Sequence, residues 1–299
     1  MSLHLGLDLG GTNLKWAVVE RGAQTRLVKT GRVRTDVRDG ERSVLRQMVG
    51  VATGVIGEHQ AIDSVGVGMP GVLDPDAGLT RFIPNIPGNW DGLTVIEHMK
   101  RAVKIPAALI NDARAFALAE HGLGAGRGSS SMLGITLGTG VGGGLVLDGH
   151  LYAGYQGTAG EFGHQTIVPD GPLCGCGNRG CLEALAKAEA IASACGQPGV
   201  EESVAAARKG DVRAAHGIGD AARYLGIGVS NVVVLLSVDR VVIGGGVAAA
   251  GDMLLDPIRE ELVRRVHVTD VSRIQVVCGE LGVWAGAIGA ALHGSTDRI

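Results

Sequence analysis

Three of the five cysteines lie close together in the sequence, and a histidine precedes them. They are Cys174, Cys176 and Cys181, with His164 upstream. Three thiolates and one imidazole form the closed tetrahedral ligand set of a structural zinc site, which keeps no position open for a substrate. Ordinary buried cysteines are the alternative, because free cysteine is among the residues most often buried. The clustering among loop glycines favours zinc, and such a metal shapes a loop instead of performing chemistry.

Two carboxylates flank this cluster. Glu161 lies three residues before the histidine, and Glu183 lies two residues after the last cysteine. If His164 gives one ring nitrogen to the metal, its other nitrogen is available for a ligand or for a neighbouring protein group. These flanking side chains indicate what the metal loop positions.

A second candidate site is a glycine-rich turn near the N-terminus. Asp8-Leu-Gly-Gly-Thr12 separates two predicted strands, residues 3–9 and 14–19. Its backbone N–H groups and hydroxyl suit an anion such as a phosphate. A simple hairpin turn is the alternative, because glycine pairs are common in hairpins.

A repeat of this stretch favours the phosphate interpretation. Residues 5–12 align with residues 133–140, and each copy is followed later by a strand that ends in glycine, at Gly71 and at Gly246. Two equivalent α/β halves, each with a phosphate-sized glycine loop, are the layout of the actin-like ATPases. The predicted fold is therefore a two-lobed, duplicated ribonuclease H-like α/β fold, with the nucleotide in a cleft between the lobes.

Two other nucleotide motifs are excluded. Gly138-x-Gly140-x-x-Gly143 has the spacing of a dinucleotide-binding fingerprint, but that motif needs a helix directly after it, and residues 144–149 are predicted to form a strand and a turn. The chain contains no Gly-Lys dipeptide, so a Walker A loop is absent.

Polar residues at two further positions are candidates for substrate binding. Asn85 lies in a loop rich in proline and glycine, where it either faces a polyol or only forms the turn. A predicted strand over residues 105–110 ends in Asn111-Asp112, and a predicted helix starts at Ala113. Asp112 is either an N-cap or a general base for a hydroxyl, and the two roles are compatible.

The remaining pattern predicts helices and indicates the class of protein. Helices are predicted over residues 42–59, 184–195, 200–209, 211–225, 253–266 and 282–292, and residues 226–238 form a helix or a buried strand.

The net charge of −3 without a basic block argues against nucleic-acid and anionic-membrane partners. No signal peptide is expected, the apolar run 229–238 is too short to span a bilayer, and clustered cysteines favour the cytoplasm.

The Glu-x-Gly-His motif that ends at His164 and the Cys-x-Cys-Gly-x-x-Gly-Cys-x-Glu motif that ends at Glu183 resemble the ROK family of sugar kinases and repressors. The resemblance covers nearly the whole chain. It implies ATP-dependent phosphorylation of a hexose, foremost glucose at the 6-hydroxyl, with Mg²⁺ and a structural Zn²⁺, in a homodimer. It also implies a small lobe of residues 1–112 and 286–299 and a large lobe of residues 113–285 that carries the zinc loop.

The same resemblance assigns roles to individual residues. Asp112 is the base, and the sugar is held by Asn111, Asp112, Glu161, His164 and Glu183. Phosphate and nucleotide are bound by three glycine-rich segments: Asp8, Gly10, Gly11 and Thr12 in the first, Gly138, Thr139 and Gly140 in the second, and Gly244, Gly245 and Gly246 on the adenosine side.

Two departures from the family pattern leave the substrate open. Arg114 stands where the family usually has asparagine, close to the sugar, and Trp284 lies in a motif usually written Leu-Gly-Asp-Asp-Ala-Gly. An amino or N-acetyl hexosamine, fructose or a cyclitol is an alternative substrate, and polyphosphate an alternative donor. A sugar-binding sensor is the alternative to an enzyme, but Asp112 is present, and the first glycine turn begins too early for a preceding DNA-binding segment.

Overall fold

The computed structural model describes residues 1–59 and 61–295 of the chain, which divides into two compact units. Unit 1 comprises Met1–Leu123, Gly154–Gly157 and Val283–Ile299, and unit 2 comprises Gly124–Ala153 and Thr158–Gly282. The lobe boundaries expected from the sequence, at residues 112/113 and 285/286, stay a prediction.

Unit 1 is a mixed α/β unit built on one five-stranded sheet. Its elements, in chain order, are β1 (Ser2–Leu9), β2 (Asn13–Arg21), β3 (Arg26–Arg34), α1 (Gly40–Glu58), β4 (Ile62–Met69), β5 (Val72–Asp74), β6 (Leu79–Phe82), α2 (Val95–Val103), β7 (Ala107–Asn111) and α3 (Asp112–Leu123). The sheet order is β3-β2-β1-β4-β7; β2 is antiparallel to both of its neighbours, β3 and β1, whereas β1, β4 and β7 are parallel to one another. Strands β5 and β6 form a separate hairpin.

Unit 2 repeats this plan, and the chain then returns to unit 1. Its elements are β8 (Met132–Leu137), β9 (Val141–Leu147), β10 (His150–Tyr152), α4 (Leu182–Ala186), α5 (Ala188–Cys195), α6 (Val200–Arg208), α7 (Val212–Leu236), β11 (Arg240–Gly244), α8 (Asp252–Arg265) and β12 (Gln275–Cys278), and α9 (Ala285–Gly294) follows in unit 1. The sheet order is β10-β9-β8-β11-β12, with the same alternation of antiparallel and parallel pairs as in unit 1. The duplicated α/β fold is therefore confirmed.

The alternation of β1 explains how its two faces are covered. Successive side chains of a strand point to opposite faces. Leu5, Leu7 and Leu9 are buried in the core that includes α1 and α2 residues. Gly6 and Asp8 lie on the other face, against α9. A Cβ at Gly6 would overlap the Ala287 carbonyl oxygen. Only glycine lets α9 approach so closely, and Asp8 is thereby placed at the start of α9.

Two helix predictions for unit 2 differ from the structure. Residues 184–195 form two helices instead of one, because Lys187 is extended (φ −65, ψ 156) and the Ala188 amide donates to the Gly138 carbonyl at 2.8 Å. Residues 211–225 and 226–238 are predicted separately, but α7 runs continuously over 25 residues.

By length and composition α7 is apolar enough to cross a membrane. Its buried face packs on the helices of unit 2, which is the arrangement of a core helix.

Candidate active site

The first glycine turn joins β1 to β2 at the end of the unit 1 sheet. The Gly10 amide donates to the Asn13 carbonyl at 3.0 Å. Thr35, directly after β3, braces the turn, because its amide and hydroxyl donate to the carbonyls of Thr12 (2.9 Å) and Gly10 (2.7 Å). Gly11 and Thr12 remain exposed. A braced turn with an exposed backbone and hydroxyl at its tip has the form of an anion site.

Asp8 ends β1 directly beside this turn and is buried, with 7% of its surface exposed. Lys15, its register partner on β2, places Nζ 2.8 Å from Asp8 Oδ2. A Cβ at Gly286, in the first turn of α9, would lie 2.6 Å from the Asp8 Cγ. The carboxylate is thus held between an ammonium group and the N-terminal turn of a helix.

Asn85 lies next to the same turn. It adopts a positive φ of 62°, which asparagine tolerates better than most residues. Its carbonyl oxygen would lie 3.5 Å from a Cβ at Gly11, and the residue is exposed. The structure therefore brings Asn85 together with Asp8, Gly10 and Gly11 in unit 1.

Asn111 and Asp112 lie where β7 passes into α3, at the same carboxyl edge of the sheet as Asp8. Asn111 is the capping side chain here, because its Oδ1 accepts from the amides of Ala113 (3.0 Å) and Arg114 (3.3 Å). Its Nδ2 donates to the Gly71 carbonyl at 3.2 Å. Asp112 begins α3, and its Oδ1 accepts from the Ala113 amide at 2.8 Å. The strand end thus fixes the Asp112 side chain close to its own backbone.

The second glycine loop joins β8 to β9 in unit 2. The Gly138 amide donates to the Gly140 carbonyl at 3.0 Å, and Thr139 is exposed between them. Glu183 reaches this loop from α4: its Oε2 accepts from the Val141 amide at 3.0 Å. A Cβ at Gly140 would lie 2.7 Å from the same oxygen, so glycine is needed for the approach.

The third glycine segment follows β11 and lies against the second. Gly245 has a φ of 89°, and a Cβ there would overlap the Leu137 carbonyl oxygen, at the end of β8. Gly244, Gly245 and Gly246 therefore adjoin the Gly138–Gly140 loop within unit 2. The sequence placed both segments at strand ends, and parallel pairing of β8 with β11 brings those ends together.

The four predicted metal ligands converge at one point of unit 2. The ligand atoms of His164, Cys174, Cys176 and Cys181 all lie within 4.8 Å of one another. The Cys176 and Cys181 sulfurs are 3.7 Å apart, and His164 Nδ1 is 3.8 Å from the Cys174 sulfur. A tetrahedral zinc ion with Zn–S bonds of about 2.3 Å requires sulfurs about 3.8 Å apart. The donor set and spacing therefore fit a tetrahedral zinc ion.

The loop that carries the thiols is folded by its own backbone. The Cys174 amide donates to the Asn178 carbonyl at 2.8 Å. A Cβ at Gly180 would overlap the Val168 carbonyl oxygen. Burial raises the pKa of the Cys174 thiol to about 12 and also raises that of Cys181, whereas a backbone hydrogen bond from Asn178 lowers the pKa of Cys176. A bound cation would offset the cost of burying thiolates, because metal ligation requires the deprotonated form.

Glu161 and His164 border the short 3₁₀ helix Phe162–His164, which packs on β9. A Cβ at Gly143 of β9 would lie 2.6 Å from the Phe162 Cβ. The same turn therefore holds His164, a predicted metal ligand, and Glu161 beside the strand that follows the second glycine loop. Three contributors were missed from sequence: Lys15, Thr35 and the Val141 amide. Their contributions depend on strand register and loop geometry, which residue type and spacing do not reveal.

Comparison with known proteins identifies the class. Residues 4–294 match the ROK family. The chain is 35% identical to a glucokinase of Thermotoga maritima, over 96% of this chain and 95% of the relative. Among solved structures, a ROK hexokinase from Thermus thermophilus superposes with a TM-score of 0.84 at 37% identity, covering 98% of this chain and 97% of that one.

A third relative was solved with its ligands. It is a ROK family glucokinase from Streptomyces griseus in complex with glucose and AMPPNP, with a TM-score of 0.81, 31% identity, and coverage of 98% of this chain and 99% of that chain. The glycine loops, the Asn-Asp strand end and the Cys₃His loop are thus found in a chain that matches sugar kinases over nearly its full length. This chain belongs to the ROK family.

Proposed function

We propose that this protein is an ATP-dependent hexose kinase that converts glucose to glucose 6-phosphate. The observation that carries the proposal is full-length similarity to glucokinases, including one solved with glucose and a nucleotide. The residues that such a reaction needs are present in this chain: glycine turns for phosphates, and an aspartate where β7 meets α3. A sugar hydroxyl is a poor nucleophile until a base takes its proton.

In this mechanism Asp112 accepts the hydroxyl proton. The Ala113 amide holds its Oδ1 at 2.8 Å, which fixes the carboxylate against rotation. Asn111 contributes an amide N–H to the sugar, because its oxygen is already committed to the start of α3. Asn85, Glu161, His164 and Glu183 bind further hydroxyls. Fixing these groups in advance supplies the orientation that a bimolecular reaction otherwise lacks.

The glycine segments hold the donor. Gly10, Gly11 and Thr12 in unit 1, and Gly138, Thr139 and Gly140 in unit 2, present amides and hydroxyls to phosphate oxygens, and Gly244, Gly245 and Gly246 accept the adenosine side. Mg²⁺, when bound with ATP, supplies further neutralisation of the transferring phosphoryl group, and Asp8 is the carboxylate placed to hold it.

His164, Cys174, Cys176 and Cys181 hold a structural zinc ion. His164 presents Nδ1 to the sulfurs, so Nε2 is the nitrogen that meets a hydroxyl. Four protein ligands would leave no position open for a substrate, so the zinc would shape the loop and take no part in the chemistry. The metal loop instead fixes His164 and Glu183 in their orientations.

The assembly and location are also proposals. We infer a cytoplasmic homodimer that takes a small sugar and no nucleic-acid or membrane partner, in keeping with the net charge of −3 and with the cysteine cluster. Light scattering of the purified protein at several concentrations tests the dimer. A mass of one chain throughout would contradict it.

The substrate is tested with a panel of acceptors and donors. Glucose, mannose, fructose, glucosamine, N-acetylglucosamine, N-acetylmannosamine and inositol are each supplied with ATP, and product formation is followed directly by mass spectrometry. We expect glucose to give the highest kcat/KM and ATP to exceed polyphosphate. A higher kcat/KM for an N-acetyl sugar would replace glucose as the substrate. Absence of product from every acceptor would contradict the kinase assignment.

A further inference from the structure

The three thiols of the metal loop differ in their access to solvent. Cys176 is exposed, whereas Cys174 and Cys181 have only 4% and 0% of their surface exposed. A Cβ at Gly175 or Gly177 would meet no atom within 4 Å beyond its chain neighbours, so the backbone on either side of Cys176 lies in open space. A small oxidant in solution therefore reaches Cys176 before the other two sulfurs, because the oxidation of cysteine follows its exposure.

A second thiol lies within reach of Cys176. Its sulfur is 3.7 Å from the sulfur of Cys181, and a disulfide bond requires a separation of about 2.05 Å. Gly177 and Gly180 lie between the two cysteines, with φ values of 91° and 68°. Glycine lets a short segment change its backbone conformation at little steric cost, so the loop permits the remaining approach.

Cys174 is the poorer partner for Cys176. One residue separates the two, and a bond across so short a segment forces a strained disulfide geometry. The Cys174 sulfur is also buried and lies 3.8 Å from His164 Nδ1 and 3.7 Å from Glu183 Oε1. Exposure and distance together therefore favour Cys176 as the thiol that is oxidised first and Cys181 as the thiol that answers it.

We propose that Cys176 is an oxidation site, at which hydrogen peroxide converts the metal loop to a form with a Cys176–Cys181 disulfide bond. The Cys176 thiolate attacks the peroxide, so that an S–O bond forms, the O–O bond breaks and hydroxide leaves. The Cys181 thiolate then attacks the sulfur of this sulfenic acid, the S–S bond forms, and the S–O bond breaks with loss of a second hydroxide. Two thiolates are oxidised by two electrons in total, and one peroxide is reduced to two hydroxide ions.

This bond would remove two of the four ligands of the zinc ion. His164 and Cys174 would be left, whereas a structural zinc site has four protein ligands, so the metal would be released. The inference rests on the zinc ion of the proposed function and adds to it a reversible modification that expels the metal.

The position of Cys181 connects this modification to Glu183. Cys181 directly precedes α4, where the Leu182 amide donates to the Gln165 carbonyl at 2.9 Å. Glu183 follows in the first turn of α4 and accepts from the Val141 amide. A shift of Cys181 toward Cys176 therefore disturbs a carboxylate that the proposed function assigns to the sugar. We expect oxidation to weaken glucose binding about tenfold.

The test treats the intact, zinc-loaded protein with hydrogen peroxide. A zinc-responsive dye follows metal release, and tryptic peptides are analysed by mass spectrometry without reduction. Trypsin cleaves after Arg179, so Cys174 and Cys176 fall in the peptide of residues 128–179 and Cys181 falls in residues 180–187. A Cys176–Cys181 bond links these two peptides, whereas a Cys174–Cys176 bond stays within the first. Fragmentation of the linked pair distinguishes Cys176 from Cys174.

We expect close to one zinc ion to be released for each disulfide bond formed, and dithiothreitol with added zinc should reverse both changes. Cys278→Ser removes a thiol outside the metal loop and is the matched control, which should release zinc as the wild type does. Retention of zinc, release without the Cys176–Cys181 link, or loss of the effect in Cys278→Ser would each overturn the proposal.

These measurements need no sugar, so they decide the role of Cys176 even if no hexose is phosphorylated. Elemental analysis of the untreated protein separates the two possible failures: a protein without zinc would contradict the proposed metal site itself, whereas a zinc protein that resists peroxide would contradict the oxidation alone.

Discussion

Glu183 joins the metal loop to the second glycine loop: its Oε2 accepts from the Val141 amide at 3.0 Å, and its Oε1 lies 3.7 Å from the Cys174 sulfur. The sequence indicated only a sugar ligand at this position. Its contacts within unit 2 add a second role, because the same carboxylate fixes the backbone that follows Gly138 and Gly140.

Glu183→Ala should therefore raise the KM for both substrates, ATP and the sugar. Removal of the carboxylate leaves the Val141 amide without its acceptor, so the loop loosens, and the KM for ATP should rise about tenfold alongside the KM for sugar. Glu189→Ala, six positions later on an exposed face, is the matched control and should leave both constants unchanged. A normal KM for ATP in Glu183→Ala would show that the carboxylate serves the sugar alone.

Cys176→Ser should release zinc and weaken sugar binding together. Serine is a poor ligand for zinc in a thiolate set, and loss of the metal would release His164, whose other ring nitrogen is proposed to meet the sugar. Elemental analysis should give near one zinc per chain for the natural protein and much less for the variant, with sugar affinity measured by calorimetry. Cys278→Ser, whose sulfur lies 3.7 Å from the Ala248 carbonyl, should keep its zinc. Full sugar affinity in a zinc-free Cys176→Ser would contradict the coupling.

Glu261 is a buried carboxylate of α8 that also meets Arg223 of α7 at 3.4 Å, and it should contribute to stability in a pH-dependent way. Only 5% of its surface is exposed, and Arg264 and Arg265 approach its Oε2 at 2.8 and 2.6 Å. Burial alone would raise its pKa, but the two arginines bring about a net lowering. Because the folded-state pKa lies below the unfolded one, the stabilisation is present above the ordinary glutamate pKa and is lost as pH falls through the folded value.

Glu261→Gln should accordingly lower the free energy of unfolding by about 1.5–3 kcal/mol at neutral pH. Urea titrations of both proteins at neutral pH and at progressively lower pH should show this difference shrinking under acid. A constant difference across that range would mean that the carboxylate charge is not responsible. Glu260→Gln, next to it in α8, is the matched control.

Two glycines should respond in opposite directions to alanine. A Cβ at Gly66 of β4 would overlap the Ala290 carbonyl oxygen of α9, whereas a Cβ at Gly54 in α1 has nothing within 4 Å. Gly66→Ala should push α9 from the sheet and prevent stable folding, whereas Gly54→Ala should stabilise the protein by about 0.5–1 kcal/mol through helix propensity. Thermal unfolding distinguishes them, and a stable Gly66→Ala would refute the packing.

The elements that the sequence predicted well are those whose apolar residues recur with the clear spacing of a strand or a helix. Alternating leucines identified β1, and apolar spacing identified α1, which the structure gives as Gly40–Glu58. Strand β3 was missed because Arg26–Arg34 is rich in charge and mostly exposed, as expected of an edge strand that pairs on one side only. The break at Lys187 was missed because it depends on a bond to the Gly138 carbonyl, which no local pattern reveals.

Among the site residues, too, those that depend on local sequence spacing were predicted and those that depend on long-range contacts were not. The four predicted metal ligands are close in sequence, and the structure places their ligand atoms together in one cluster. Lys15 reaches Asp8 because the two residues are register partners on neighbouring strands. The Val141 amide meets Glu183, 42 positions away in the sequence. Neither contact can be predicted from residue type and spacing. The capping role expected of Asp112 falls to Asn111, because its side chain reaches two amides of the first turn.

The central claim is that this chain transfers a phosphoryl group to a hexose hydroxyl with Asp112 as the base. Asp112→Asn keeps the shape and the hydrogen bond to the Ala113 amide but removes the proton acceptor. General-base help is worth about 10²–10⁴-fold, so kcat with glucose and ATP should fall by that factor. Glucose affinity by calorimetry should change little.

The decisive measurement is the rate of glucose 6-phosphate formation by wild type and Asp112→Asn under saturating ATP, with glucose binding measured on the same preparations. The account predicts rapid turnover in the wild type and a loss of at least about 10²-fold in the variant at near-normal glucose affinity. Near-normal turnover in Asp112→Asn would contradict the mechanism, and absence of turnover in the wild type would contradict the function.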